Sequence, residues 1–293
     1  MTGSGSPPLA ASLQATLLRT RNADGGWPYL ARRQSRLEPT VFALLALHTA
    51  KYPVDISPIA TWPRREGLLL DTHAGEVNLA WHAQAALVTQ SISDDRSLPA
   101  AFVEALLAVK GAALPQSPAL RQDDRLQGWP WTQGTFSWVE PTAWATIAVR
   151  RWHRARPTLD AASRVVEAER LLLDRACAAG GWNYGNPAAF GHELRAQVPT
   201  TAIALLALEP LRDHPVVMRG RAQLATRRSD ERSGLSLSLA QIALGRFGER
   251  HLDLQATLED VWARSEFLGN VATIALALYA CHGQADSYDA FAS

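Results

Sequence analysis

Apolar residues in this chain fall into short runs of two kinds. "VFALLAL" at residues 41–47, "TTAIALLAL" at 200–208 and "VATIALALYAC" at 271–281 are apolar on nearly every side, which predicts helices buried on most faces. "ASRVVEAERLLLDRACAA" at 162–179 keeps Arg and Glu at intervals that gather them on one side, which predicts an amphipathic helix with one wet face. The two kinds alternate. "WPRREGLLLDTH" precedes "GEVNLAWHAQAALV", "LPAAFVEALLAVKGAA" precedes "EPTAWATIAVRRW", "PVVMRGRAQLATRR" precedes "GLSLSLAQIALGRF", and "DLQATLEDVWAR" precedes "LGNVATIALALYAC". The pattern gives six outer–inner helix pairs, the inner helices starting near residues 39, 77, 141, 199, 235 and 269, and no stretch of period-two alternation competes as a strand. Six helical hairpins in series form an open solenoid or a closed ring. Closure is favoured, because an open arrangement leaves the apolar inner helices wet.

Three of the pairs share a connecting plan. The segments starting at Asn22, Leu126 and Cys177 each read Gly-Trp, an aromatic, a polar loop, then Pro-Thr and an apolar run: "EPTVFALLAL" from Glu38, "EPTAWATIAV" from Glu140 and "VPTTAIALLAL" from Val198. Gly after a helix supplies a left-handed C-terminal turn, and the Trp that follows is placed to fold back over the helix end. Pro is suited to the first helical position, which puts Glu38, Glu140 and Val198 at the N-cap.

The chain has 293 residues, 29 basic against 28 acidic. It is read as one domain over 1–293, with flexible tails at 1–8 and 284–293. The near-zero net charge gives no reason to invoke nucleic acid. Two cysteines, Cys177 and Cys281, make neither a disulfide framework nor a metal pair. The start lacks a basic segment followed by an apolar one, and the apolar runs are too short to span a bilayer. A cytoplasmic protein is expected, with peripheral membrane association as a variant.

The stretches "DGGWPY…EPTVFALLAL" and "AGGWNYGN…PTTAIALLAL" resemble the repeats of squalene–hopene and oxidosqualene cyclases and of protein prenyltransferase beta subunits. The resemblance implies an all-α (α/α)6 toroid, here a single free-standing domain, with isoprenoid chemistry in a central apolar cavity. The class II cyclase motif D-x-D-D-T-A, laid on "WVEPTA", matches Thr142-Ala143 and puts Glu140 at the middle acid, the proton donor. Trp138 and Pro141 replace the two other acids. The implied function is metal-independent, protonation-initiated cyclisation or rearrangement of a bound isoprenoid, with no cofactor. The alternative is a non-catalytic toroid that binds a partner protein or a lipid, and a partner chain supplying a second domain fits either.

Glu140 therefore has two readings. One is a helix-start carboxylate favoured by the helix dipole, supported by Glu38 in the same slot. The other is an acid facing an apolar wall built by Trp131, Phe136, Trp138 and Trp144. Glu38, Glu76 and Glu140 all precede inner helices and are expected at one end of the cavity, either converging there or as solvated rim residues. Asn78, Trp81 and His82 on the second inner helix join them, and Phe42 lines the cavity. Asp123-Asp124 resembles half of a metal–diphosphate motif but lacks the third acid, so a turn is expected. "WNYGNP" and "CHG" resemble zinc-ligand segments of lanthionine cyclases, but Asn183 replaces the ligand cysteine. Too few ligands remain for zinc.

Overall fold

The computed structural model describes residues 8–60, 78–117, 120–249, 251–282 and 288–292. Eleven long helices lie among them: α1 (Leu9–Thr20), α2 (Leu37–Thr49), α3 (Leu79–Ile92), α4 (Ser97–Leu107), α5 (Val139–Ala155), α6 (Leu159–Asp174), α7 (Val198–Ala207), α8 (Pro215–Arg227), α9 (Gly234–Arg246), α10 (Leu252–Ser265) and α11 (Val271–His282). A two-residue antiparallel pair, Ala188–Ala189 with His192–Glu193, closes a loop turn. The outer helix expected over 62–73 and the candidate Glu76 lie outside the described residues. No described helix is long and apolar enough to cross a membrane.

Helices α2, α3, α5, α7, α9 and α11 each pack on the next, and α11 packs back on α2, so the six inner helices close into a ring. Their starts fall within two residues of those expected from the sequence. Burial follows the hydrophobic pattern. Every residue from Pro39 to Leu47 of α2 is buried, whereas outer helix α8 buries only Val217, Gly220 and Leu224, and α10 only Leu254 and Leu258. The chain is an (α/α)6 toroid.

The Gly-Trp loops act as clasps between an outer helix and the inner helix after it. The indole N–H of Trp27, Trp129 and Trp182 donates to a carbonyl near the C-terminal end of the preceding outer helix, Leu17, Leu106 and Leu172, at 2.8, 2.8 and 2.6 Å. Those carbonyls lie in the last turn, where the regular i to i+4 backbone ladder runs out. The backbone N–H of the same tryptophans donates to the hydroxyls of Thr40, Thr142 and Thr201 at 2.7, 2.9 and 2.9 Å. The preceding glycine is required for closeness. A Cβ on Gly128 would stand 2.4 Å from the Thr142 hydroxyl, and one on Gly181 2.8 Å from that of Thr201.

The clasps correct the register expected at the helix starts. The N-cap residues are Arg36, Trp138 and Gln197, so Glu38 and Glu140 are second helical residues and Pro39 and Pro141 third. In the third copy the bonding threonine is Thr201, two residues after Pro199, which puts Pro199 in the slot that Glu38 and Glu140 occupy. The Thr–Trp hydrogen bond sets the alignment, and the Pro-Thr dipeptide does not.

An aromatic layer fills the ring interior. Phe42 on α2 meets Trp144 on α5 with ring centroids 5.9 Å apart, and these helices are not ring neighbours, so the contact crosses the inside of the ring. Phe291 lies 5.6 Å from Trp144 and 5.1 Å from Tyr279 of α11. Three residues of the stretch 288–292 join the core: Phe291 is fully buried, Tyr288 is 2% exposed and Ala290 5%, while Asp289 is exposed. The physical reason is local, since two aromatics and Ala290 in a five-residue stretch fill space that the inner helices leave open.

Candidate functional site

The N-terminal ends of α2 and α5 bring two carboxylates together inside the ring. Glu38 and Glu140 occupy the same slot of their helices, and both are partly accessible. Neither acts as a helix cap. Glu38 instead accepts the phenol O–H of Tyr29 at 2.5 Å and the side-chain amide of Gln84 at 3.1 Å. Tyr29 comes from the first Gly-Trp loop and Gln84 from α3, so three separate segments hold this one carboxylate.

Electrostatics set the pair apart from rim residues. Enclosure by protein raises the pKa of Glu38, while its hydrogen bonds to Tyr29 and Gln84 favour the ionised form. Glu140 is pushed up to about 7, first by loss of solvation and then by the nearby charge of Glu38. Two carboxylates that share poor solvation and one another's field separate in this way, the second proton staying on near neutrality. The indole of Trp144, one turn along α5, pulls weakly in the opposite direction. That N–H closes no hydrogen bond of good geometry among the described residues, and neither does the buried side-chain oxygen of Gln84. Buried polar atoms without a well-formed partner are rare in folded proteins, and two of them lie beside this carboxyl pair.

Trp81 joins this cluster through Tyr29, with ring centroids 6.4 Å apart. Tyr29 also lines a surface depression of about 420 Å³ with Leu30, Arg33, Gln34 and Arg36. Phe42 and Trp144 are buried against each other in the aromatic layer. The remaining candidates have structural partners of their own. Asn78 is the N-cap of α3, its side chain accepting from the N–H groups of Ala80 and Trp81. His82 is fully buried and packs edge-on against Phe102 of outer helix α4, 5.6 Å away. Trp131 is half-buried, its carbonyl accepting from the N–H of Leu79 at 2.9 Å. Phe136 and Trp138 pair with each other at 4.9 Å. Phe136 borders a separate pocket of about 240 Å³ with Gln122, Asp124, Arg175 and Asn186.

Asp123 accepts from the backbone and side chain of Arg125 two residues on, which is a turn. Among the described residues no group of three His, Cys, Asp or Glu side chains is placed to hold a metal. Tyr29 and Gln84 are site residues that the sequence reading does not single out. The signal for Tyr29 is the aromatic after Gly-Trp. Gln84 is a polar residue in an otherwise apolar helix face.

Neither a family model nor a curated protein matches the chain. Solved structures do. An inactive variant of the α-1,6-mannanase GH76A of Salegentibacter sp. HEL1_6, with two aspartates replaced by asparagine, in complex with α-1,6-mannotriose, aligns with a TM-score of 0.61 at 10% identity, over 95% of this chain and 98% of that one. A second inactive variant of that mannanase, with alanine replacements and in complex with α-1,6-mannotetrose, gives a TM-score of 0.60 at 11% identity with the same coverage. At such identity the likeness establishes the shared toroid. It also corrects the reading of the repeats as those of a terpene cyclase or prenyltransferase. Two toroids that match over nearly the whole chain are mannanases in complex with oligosaccharides, so the Gly-Trp repeats mark the ring and do not point to isoprenoid chemistry. The isoprenoid ligand, the cyclisation and the alternative of a protein- or lipid-binding module with a partner-supplied domain are set aside on the same finding.

Proposed function

We propose that this chain is a carbohydrate-active enzyme that cleaves a glycosidic bond by acid–base chemistry between Glu140 and Glu38. The observation that carries the reading is the enclosed carboxyl pair, with one member retaining its proton near pH 7 and aromatic side chains alongside. Glycoside hydrolysis uses two carboxyl groups in two protonation states. Glu140 donates its proton to the bridging oxygen as the C–O bond breaks. Glu38, oriented by Tyr29 and Gln84 in hydrogen bonds that favour its anion, faces the positive charge that develops on the sugar and directs either itself or a water to the anomeric carbon. The ring of Trp81 offers a flat apolar surface to the C–H face of a pyranose. The buried oxygen of Gln84 and indole N–H of Trp144, which close no well-formed hydrogen bond among the described residues, are suited to sugar hydroxyls. The mannanase toroids make α-1,6-linked mannooligosaccharides the first substrates to try. A cytoplasmic location stays part of the proposal, supported by the free thiols Cys177 and Cys281.

The test is product release from a panel of α- and β-linked oligosaccharides, α-1,6-mannotriose included, followed by chromatography. Wild-type protein should release sugar, and Glu140→Gln should lower kcat by roughly 10²–10⁴-fold, the usual contribution of a general acid, without loss of fold. Activity should decline above about pH 7 as Glu140 loses its proton. No release from any member of the panel, together with no calorimetric binding, overturns the proposal.

A further inference from the structure

The far end of the ring, beyond the aromatic layer, holds a second cavity with chemistry of the opposite sign. Its volume is about 470 Å³, and the ends of α2, α3, α5 and α11 line it together with Asp289 and Ala290. Four of its side chains are basic: His48, Lys51, Arg151 and His282. Lys51 makes no ion pair among the described residues. Arg151 spends one N–H on the backbone carbonyl of Asp289, which leaves the rest of a rigid fork of donors. Tyr279, only 1% exposed, lines the same cavity, and its hydroxyl is itself buried. The backbone of Ala290 lies near it, but the hydroxyl closes no hydrogen bond of good geometry among the described residues.

Backbone conformation adds an independent mark. Lys51 follows α2 with φ 61°, in the left-handed region, and its N–H and that of Tyr52 close the helix end on His48 and Leu47. Glycine is the usual occupant of such a position because a Cβ is disfavoured there. A lysine held in it delivers its ammonium to the cavity lip at a conformational cost.

We propose that this cavity binds a small phosphate-bearing molecule, the phosphate held by Lys51, Arg151 and the Tyr279 hydroxyl, with the remaining volume taken by the group attached to it. A planar guanidinium and an ammonium together match phosphate oxygens, and His48 adds an N–H donor. Two features oppose an anion: the carbonyl ends of the helices and the Asp289 carboxylate. They give the proposal a signature, because removing the Asp289 charge must tighten binding.

Isothermal titration with inorganic phosphate and with glucose 6-phosphate, with glucose as control, tests it. Either phosphate should bind and glucose should not bind here. Lys51→Asn, which tolerates the left-handed backbone, should weaken binding about tenfold, as expected for loss of a charge-assisted hydrogen bond. Tyr279→Phe should also weaken it while leaving the melting temperature unchanged or higher, since an unpaired buried hydroxyl is removed. Asp289→Asn should tighten it. No phosphate binding up to roughly 10 mM, a concentration at which even a weak specific site fills, overturns the proposal. So does binding indifferent to both Lys51→Asn and Tyr279→Phe.

Discussion

At Glu140 the cost of ionisation falls on the folded state. Its pKa is raised from the ordinary carboxylate value to about 7, so between those two limits the folded chain holds a proton that the unfolded chain has released. Stability from this group is complete below the unfolded pKa and is lost as pH rises through about 7. Glu140→Gln should therefore be more stable than wild type at pH 8, by about 1–3 kcal/mol, and close to it at pH 4. Urea melts at the two pH values measure this, and equal melts at both would show a well-solvated carboxylate. Part of the site is legible in the sequence. Acids in the same slot of two repeats are enough to mark Glu38 and Glu140. The groups that give the pair its chemistry are harder to see. Gln84 reaches Glu38 across 46 positions of sequence, a proximity that only ring packing creates. Asn78 shows the converse: a polar residue at a helix start is as fit to cap the helix as to line a cavity, and Asn78 caps.

Between elements, the Trp–Thr clasp is the recurring device, and its energetics are those of buried backbone hydrogen bonds. Thr142→Val keeps the shape of the side chain but leaves the N–H of Trp129 buried without an acceptor. The expected loss is about 1–3 kcal/mol, and Thr40→Val and Thr201→Val should behave alike. Denaturant titration of the three variants checks it, and a loss confined to one repeat would mean that the clasps are not equivalent. At this scale the chain is largely transparent to reading, because helices buried all round and helices with one wet face have different hydrophobic patterns. The third copy is where likeness fails. Pro199-Thr200 looks like Pro39-Thr40, yet the clasp uses Thr201. Dipeptide likeness cannot reveal which hydroxyl meets the indole-bearing residue, because that depends on the length and path of the longer loop before it.

Across the whole molecule, the ring is held from the inside as well as around its circumference. Phe291 touches aromatics from two inner helices, so Phe291→Ala should empty the centre of the layer. A cost of about 3–5 kcal/mol is expected, the range for a large aromatic removed from a core, and dye binding to the newly exposed rings should rise. A near-neutral result in thermal denaturation would show that the layer closes without this residue. The contact of α11 with α2 has a further consequence, for how such a chain can change over generations. A row of stacked hairpins tolerates growth or loss of a unit at either end, because each unit answers only to its neighbours. A closed circle has no end at which to grow. Each hairpin supplies a fixed share of the full turn, so duplicating or deleting one leaves the circle overfilled or gapped, and lineages of this chain are confined to varying their loops and side chains while the number of hairpins stays put.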